Sequence, residues 1–438
     1  MAPTLKPSEQ GLARIKQARE ERGWTIEDPR WLIAASQILD PETQWHPGGD
    51  RHKAPKGCSE TTWKRFLKGE SINPLSYKAF CQMLELNWED TVYRLESPTR
   101  DRCQDWGTAP DVPVFYGRST ELATLEQWIL EENCRLVGLL GLGGIGKTTL
   151  AVRLGKQLKE KFDYIIWRSL DDAPPVERTI ASLLQTLSRH TFDDRASGNS
   201  PNSPTVGQLI ECMRDRRCLI LLDDVHVVQC TGQIAGKYQN GYEGYGQLFK
   251  QVAQAHHQSC LVLTSWEKPN EIAVSESPNQ PVRSLTLQGL GEAAKEILRE
   301  KGLPEEELWE ELIRPYGGNP LALKIVAASI QHVFGGSVSE FLIENTLFLG
   351  DFEYLLYSQF NRCSVLEQQI MSLLAAEPEQ SISMLHKAIA EVSQSQVIHA
   401  MESLLRRSLV ERQKNEKTVY TLQPVIRKYV RTHFTYEN

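Results

Sequence analysis

One stretch of this chain, GLGGIGKTT from Gly141 to Thr149, constrains its fold more than any other. It fits the pattern of a phosphate-binding loop, in which a glycine and four further residues precede Gly-Lys-Thr. Glycines permit the positive φ values that let successive N–H groups point at phosphate oxygens. The pattern assigns Lys147 to the β- and γ-phosphates and the Thr148 hydroxyl to Mg²⁺. The stretch therefore predicts a nucleotide site.

The flanks of the loop are those that such a site requires. Residues 135–140, RLVGLL, are an apolar run typical of a buried strand, and residues 147–161 have the spacing of an amphipathic helix. The N-terminal end of a helix carries partial positive charge, which favours phosphate. A chance match in a glycine-rich turn is the alternative, and both flanks argue against it.

The region from 135 to 287 alternates apolar strands with helical segments, which is typical of a parallel sheet covered by helices. One strand, CLILLDDV, ends in two carboxylates, and ligands of such sheets bind at the carboxyl ends of strands. We therefore predict that Asp223 holds Mg²⁺ and that Asp224 orients or activates water. Thr264, near the end of a later strand, is a candidate sensor of the terminal phosphate. An Asp-rich turn without chemistry is the alternative.

Composition argues against several classes of function. The formal net charge of −7 argues against a protein that coats nucleic acid, although a local basic patch stays open. No apolar run approaches the length of a membrane span, and the N-terminus lacks the apolar core of a signal peptide. The nine cysteines are scattered and include no C-x-x-C pair. This pattern favours a reducing cytoplasm over a disulfide framework or a zinc site.

Residues 1–97 are predicted to form a separate all-α domain. Its segment 59–69, SETTWKRFLKG, begins with a typical N-cap and ends at a glycine. The region resembles a helix-turn-helix domain of the phage-repressor type, with this segment at the position of the recognition helix. The candidate DNA contacts are Lys64, Arg65 and Lys68 for phosphates and Thr61 and Thr62 for base edges.

The alternative for this domain is a protein-interaction or regulatory role on the same helical frame. A long polar loop, residues 40–57, stands where a helix-turn-helix has its tight turn, and acidic residues roughly balance basic ones. Both observations favour the alternative over DNA binding. Residues 98–113 contain proline, glycine and charge without periodicity, and they are predicted to be a linker.

After residue 288 the pattern becomes helical. Gly-Asn-Pro at 318–320 opens an apolar helix, with proline at an early position where it costs no hydrogen bond. Three helices and two short strands then follow, which is the pattern of a winged helix. The predicted order is an all-α domain (1–97), a linker (98–113), an α/β P-loop NTPase domain with a parallel sheet (114–287), a helical domain (288–352) and a winged-helix domain (353–438).

These motifs together resemble one family. In order they are Val114-Phe115-Tyr116-Gly117-Arg118, the phosphate loop, Leu222-Asp223-Asp224, Thr264-Ser265, Gly318-Asn319-Pro320 and the terminal winged helix. The chain from about 114 to 434 is similar to the NB-ARC class of signal-transduction (STAND) NTPases, in its bacterial form. Apoptotic ATPases and plant disease-resistance proteins are relatives. The resemblance implies a switch in which ADP holds a closed monomer and ATP opens it to self-associate.

The resemblance also assigns residues to the nucleotide. Val114, Phe115, Tyr116 and Arg118 would border the adenine, and Pro320, followed by Leu321, would pack on its face. The residues implied to hold phosphates and Mg²⁺ are Gly143, Gly144, Ile145, Gly146, Lys147, Thr148 and Thr149. Leu422-Gln423-Pro424 takes the place of the family's Met-His-Asp, whose histidine reaches the β-phosphate of ADP.

Two departures from the family pattern affect the expected activity. Gln423 can donate a hydrogen bond but carries no charge, and Trp266 stands where many relatives have arginine. Gln423 therefore predicts a weaker hold on ADP, and Trp266 predicts slow ATP hydrolysis or none. A regulatory switch, a nucleotide-controlled DNA-binding regulator and a nucleotide-stabilised scaffold all stay open. No repeat of the WD, tetratricopeptide or leucine-rich kind is visible. The signal sensor is thus lost, missing from a partial chain, or supplied by another protein.

Overall fold

The computed structural model describes residues 4–25, 28–40, 58–91, 102–188, 204–344, 350–389, 392–414 and 418–434. The chain separates into two compact units, Met1–Asp101 and Arg102–Asn438, and each is described by itself. Most of the predicted loop at 40–57 and residues 98–101 of the predicted linker lie outside the described residues. No helix in the described part of the chain is long and apolar enough to cross a membrane.

The described part of the first unit is helical, as the sequence predicts. Its helices are α1 (Glu9–Glu21), α2 (Pro29–Leu39), α3 (Glu60–Leu67), α4 (Pro74–Met83) and α5 (Trp88–Thr91). Aromatic residues of α2, α3 and α4 form its core: Trp31 stacks on Trp63 and Phe80 meets Trp63 edge-on, each at 5.1 Å between ring centroids. Ser59 caps α3 by accepting a hydrogen bond from the Thr62 N–H at 3.2 Å.

The second unit begins with a region, residues 102–287, that we call the sheet region. Its strands are β1 (Cys103–Asp105), β2 (Leu136–Leu140), β3 (Tyr164–Ser169), β4 (Cys218–Asp223), β5 (Cys260–Ser265) and β6 (Val282–Thr286). Its helices are α6 (Ser119–Leu130), α7 (Lys147–Leu158), α8 (Val176–Ser188), α9 (Val206–Asp215), α10 (Gly244–Gln254) and α11 (Asn270–Ser275).

The six strands form one parallel sheet in the order β1-β3-β4-β5-β2-β6. The central strands β2, β4 and β5 are buried along their whole length, because helices cover both faces of the sheet. In the ladder Leu140 of β2 lies opposite Ser265 of β5, and Leu222 of β4 lies opposite Leu263. The register brings the carboxyl ends of these three strands together at one edge.

Residues 103–105 of the predicted linker are a strand of the sheet, and the linker assignment of the other residues stays a prediction. Cys103–Asp105 forms β1, an edge strand parallel to β3. Asp105 accepts a hydrogen bond from Arg168 at 2.8 Å, and the Trp106 ring lies against Gly155 of α7. A strand of three residues is too short to show an alternating pattern, so these tertiary contacts decide its position.

Two further regions follow, which we call the helical region (288–352) and the C-terminal region (353–434). Their helices are α12 (Ala294–Glu300), α13 (Trp309–Ile313), α14 (Pro320–Val333), α15 (Val338–Ile343), α16 (Phe352–Phe360), α17 (Val365–Ala376), α18 (Ile382–Ala388), α19 (Gln394–Arg406) and α20 (Pro424–His433). The predicted hairpin is present as β7 (Val410–Lys414) and β8 (Thr418–Leu422), with Val410 opposite Leu422. The domain boundaries and the winged-helix assignment stay predictions.

One apolar core joins the three regions of the second unit. It includes Val137 from β2, Leu323 from α14 and Leu404 from α19, all fully buried. A second core on the other face of the sheet contains Tyr164, Leu248 and other residues of the sheet region alone. The helical and C-terminal regions therefore pack on the same side of the sheet as α6 and α7.

Candidate nucleotide site

The phosphate loop connects the carboxyl end of β2 to the start of α7, as the sequence predicts. Gly141, Gly144 and Gly146 have φ angles of 140°, 72° and 98°, which only glycine adopts at little cost. A Cβ added at Gly146 would meet no heavy atom within 4 Å, so the loop faces open space there. The first N–H groups of an α-helix have no partner within the helix and remain available for an anion.

Lys147 is buried at the base of this loop. Its Nζ donates hydrogen bonds to the carbonyl oxygens of Gly141 at 3.0 Å and Leu142 at 2.9 Å. Burial lowers the pKa of Lys147 to about 8, and the charges of Asp224 and Asp223 offset part of that shift. Both hydrogen-bond partners are neutral, so an anion such as phosphate fits beside this cation.

The two residues predicted to hold Mg²⁺, Thr148 and Asp223, lie within hydrogen-bond distance of each other. The Thr148 hydroxyl lies 2.9 and 3.1 Å from the two oxygens of Asp223, and Thr264 donates to the same carboxylate at 2.5 Å. Burial raises the pKa of Asp223, and the hydrogen bonds from Thr264 and Thr148 lower it in part. Carboxylate and hydroxyl oxygens are the hard ligands that Mg²⁺ prefers, so these residues fit the ion.

Asp224 lies beside this pair at the end of β4. Its backbone is left-handed, with φ of 58°, and its N–H donates to the Thr264 hydroxyl at 3.0 Å. Burial raises the pKa of Asp224 to about 7, and the charge of Asp223 and a hydrogen bond with Asp171 add to the shift. Asp171 was missed by the sequence analysis, because an aspartate after a strand has no distinctive pattern.

The residues predicted to border the adenine already contact other residues of the chain. The buried Arg118 donates to Glu121 at 2.6 Å, to the Ile145 carbonyl at 3.2 Å and to the Gln288 carbonyl at 2.5 Å. It thus attaches α6 to the phosphate loop and to the end of β6. Val114 is 47% exposed, while Phe115 and Tyr116 are half-buried beneath the cations of Arg153 and Lys324.

The start of α14 binds directly to the phosphate loop. Asn319 caps this helix, and its Nδ2 donates to the Gly143 carbonyl at 2.9 Å. The Leu321 N–H donates to the Gly144 carbonyl at 3.3 Å, which places Pro320 between two attachments to the loop. The sequence motif located this segment, but the role of Asn319 in binding the loop was missed.

Two side chains of α16 also reach the loop, and the sequence analysis singled out neither. The Oε1 of Gln359 accepts a hydrogen bond from the Gly143 N–H at 3.2 Å, and Gln359 is buried. A Cβ added at Gly143 would lie 2.3 Å from Leu355, so this helix packs directly on the loop. A glutamine and a leucine in an amphipathic helix give no signal that could have identified them.

Gln423 lies at the start of α20, where its side chain makes no capping hydrogen bond. It lines a cavity of about 720 Å³ together with Lys268, Thr286 and Gln288. The described residues that line this cavity do not include the phosphate loop. A contact between Gln423 and a nucleotide phosphate therefore stays a prediction.

Trp266 has an aromatic partner in the structure. Its ring stacks on His226, with centroids 3.8 Å apart and an interplanar angle of 21°. Burial lowers the pKa of His226 to about 2, and the charges of Arg362 and Lys147 lower it further. The stack therefore pairs two neutral rings and brings no positive charge toward a phosphate.

In the first unit, two of the candidate DNA contacts are paired with acidic residues. Lys64 lies 2.7 Å from Glu60, and Arg65 lies 3.1 Å from Glu70. Arg65 also donates to the Ser71 carbonyl at 2.7 Å. These pairs reduce the positive charge that α3 presents to solvent, and a DNA-binding role for this helix stays a prediction.

Comparison with known proteins places this site in a family. A family model described as the NB-ARC domain matches residues 118–243, which contain the phosphate loop, Asp223 and Asp224. The chain carries an NB-ARC domain. The resemblance to NB-ARC NTPases predicted from the motifs is therefore confirmed.

The relatives are longer than this chain. An uncharacterized WD repeat-containing protein, alr2800, from Nostoc sp. is 43% identical over 98% of this chain and 36% of its own length. The disease resistance protein RRS1 of Arabidopsis thaliana is 27% identical over 45% of this chain and 13% of its own length. This chain thus spans little more than a third of the first relative and much less of the second.

A solved structure supports the fold beyond the NB-ARC domain. A Walker-type ATPase from Pyrococcus abyssi matches with a TM-score of 0.51 and 17% identity, over 72% of this chain and 96% of that protein. At this identity the likeness shows the fold alone. The predicted P-loop NTPase fold with a parallel sheet, followed by further helices, is confirmed.

Proposed function

We propose that this chain is a nucleotide-operated switch of the NB-ARC class that binds ADP or ATP with Mg²⁺. One observation carries the proposal: three regions of the chain meet at one phosphate loop. Asn319 of the helical region and Gln359 of the C-terminal region both bond to Gly143, while Lys147 lies buried in the same loop. A change at the phosphates therefore acts directly on the contacts among the three regions.

The residues of the loop divide the binding between them. Lys147 and the first N–H groups of α7 would hold the phosphates, and Thr148 with Asp223 would hold Mg²⁺. Held by Thr148 and Asp223, Mg²⁺ would neutralise charge on the phosphates and polarise the phosphoryl group. Asp224, next to Asp223 at the strand end, would orient water and take its proton. Trp266 supplies no positive charge to the terminal phosphate, so we expect slow ATP hydrolysis. A slow rate suits a regulatory switch rather than a metabolic enzyme.

The proposed output is a change of contacts in response to nucleotide. Release of α14 and α16 from the loop would expose surfaces now packed on the sheet region, and those surfaces would bind a second copy or a partner protein. A separate sensor chain is one such partner. We place this switch in signalling, defence or regulation in a bacterial cytoplasm.

The test is nucleotide binding by a variant of the loop. Lys147→Ala should weaken the binding of ADP and of a non-hydrolysable ATP analogue on the order of 10- to 100-fold, since it removes a charge-assisted contact. Lys156→Ala is the matched control, because Lys156 lies on the same helix but is exposed and paired with Asp111 at 3.2 Å. Calorimetric titration with Mg²⁺ measures both affinities. Unchanged binding by Lys147→Ala would refute the proposed site.

The mass of the particle in solution tests the output. Light scattering in ADP and in the analogue should give a monomer and a larger species, respectively. Equal masses under both conditions, with both nucleotides bound, would show that this chain does not switch by self-association.

A further inference from the structure

A cavity of about 350 Å³ lies between the helical region and the C-terminal region. Helices α13 and α15 and the turn after α13 contribute its apolar side chains, which include Leu312, Tyr316, Phe341 and Leu342. Helix α20 contributes three cations, Arg427, Lys428 and Arg431. The described residues that line this cavity include none of the phosphate loop, so it is separate from the candidate nucleotide site.

The apolar side of this cavity belongs to the packed core. Leu312, Tyr316 and Phe341 are buried in the core that joins the three regions, and the half-buried Leu342 packs against the same core. Small-molecule sites are largely preformed, mostly apolar cavities of about 300–1,000 Å³ with a few polar groups. This cavity has those properties, and it is too small for a helix of a partner protein, which is about 10 Å across.

Two of the cations are held in place by neutral groups. The Nε of Arg427 donates to the Ala375 carbonyl at 3.3 Å, and the Nε of Arg431 donates to the same carbonyl at 2.6 Å. Arg431 also donates to the Ala376 carbonyl at 3.0 Å. Within the described part of the chain neither arginine forms an ion pair with a carboxylate. The end of α17 therefore orients both guanidinium groups without neutralising them.

The three cations also repel one another. Arg427 and Arg431 lie one helical turn apart on α20, a spacing at which like charges are destabilising. Burial lowers the pKa of Arg427, and the charge of Arg431 lowers it further. Glu311 is the one acidic residue in the described lining, so the positive charges exceed the negative ones by two. An anion in the cavity would relieve this repulsion.

We propose that this cavity binds a small amphipathic anion, with an apolar body of two or three rings and one carboxylate, sulfonate or phosphate group. The apolar body packs on Leu342 and on the buried side chains beside it, and the anionic group pairs with Arg427 and Lys428. Because the lining comes from both regions, the bound anion links the helical region to α20. This site goes beyond the proposed nucleotide switch and does not depend on it.

The experiment titrates the full chain with anilinonaphthalene sulfonate and follows the fluorescence of this probe. Phenylnaphthylamine, which has the same rings without the sulfonate, is the uncharged comparison. The sulfonate should bind more tightly than the amine, and Arg427→Gln should weaken it about 5- to 30-fold while changing the amine less than about twofold. Lys428→Gln, at an exposed residue, should act in the same way and serves if the arginine variant does not fold. Leu342→Ala should weaken both probes, since it removes apolar contact area.

Two controls separate this cavity from other sites for the probe. Lys387 lies on α18, is exposed and does not line the cavity, so Lys387→Gln should bind both probes as the wild type does. Lys147→Ala should also leave the probes unaffected, because the phosphate loop is elsewhere. Wild-type affinity for the sulfonate in both α20 variants, equal affinity for the two probes, or loss of the sulfonate in Lys147→Ala would each overturn the proposal. The nucleotide titrations judge the switch separately.

Discussion

Replacing Glu267 with glutamine tests whether a buried ion-pair cluster holds the C-terminal region against the sheet region. Glu267 is 1% exposed, and its Oε1 contacts the guanidinium groups of Arg362 and Arg407. Arg407 also pairs with the buried Glu367 of α17 at 3.1 Å. The cluster therefore keeps two positive and two negative charges out of water at the junction of these regions.

The expected loss follows from the charge balance. Glutamine keeps the shape of Glu267 but removes one negative charge, so two buried guanidinium groups face one carboxylate. Breaking a buried pair from one side costs about 3–5 kcal/mol, because it leaves an uncompensated charge. At roughly 2–3 °C per kcal/mol for a unit of this size, the melting temperature should fall by about 6–15 °C.

The assay is thermal unfolding of the full chain, followed by circular dichroism without added nucleotide. Glu402→Gln is the matched control, because Glu402 pairs with Arg406 at 2.9 Å while 55% exposed. An exposed pair one helical turn apart contributes about 0.3–0.5 kcal/mol, so the control should melt within about 2 °C of the wild type. A Glu267→Gln variant that melts together with the control would refute the reasoning.

Two further predictions concern the loss of stability in acid caused by His226 and the steric overlap of a side chain at Gly143. Burial and nearby positive charges lower the pKa of His226 to about 2, whereas the unfolded chain protonates it near 6.5, so stability falls as the pH drops below that value. The loss of unfolding free energy reaches about 2 kcal/mol at pH 5. In denaturant melts His226→Gln should lose less stability between neutral pH and pH 5 than His256→Gln, the control at an exposed histidine. Equal losses in the two variants would contradict this prediction. Gly143→Ala, whose Cβ would lie 2.3 Å from Leu355, should cost about 1–3 kcal/mol, mostly restored by Leu355→Ala. Gly207→Ala, with no atom closer than 3.9 Å, is its control, and an equal effect at both glycines would rule out the overlap.

Much of the sheet region could be predicted because its signals are local. Buried parallel strands read as apolar runs, and the loop requires glycines at fixed positions. The strand ends then locate Asp223 and Thr264, since parallel strands present their carboxyl ends at one edge. These features need only neighbouring residues and a known sheet geometry.

The sequence by itself determined the phosphate loop and the family, and it predicted that Asp223 and Thr148 hold Mg²⁺. Only the tertiary structure decided which other residues meet that loop, since Gln359 lies 216 positions from Gly143 in the chain. It also decided that Glu267 meets two arginines and that Cys103–Asp105 is a strand. The physical reason is that these contacts depend on how separate helices pack. The neighbouring sequence of a glutamine or a glutamate does not show whether its side chain is buried against a partner or exposed to solvent. A strand of three residues is likewise too short to have a recognisable pattern.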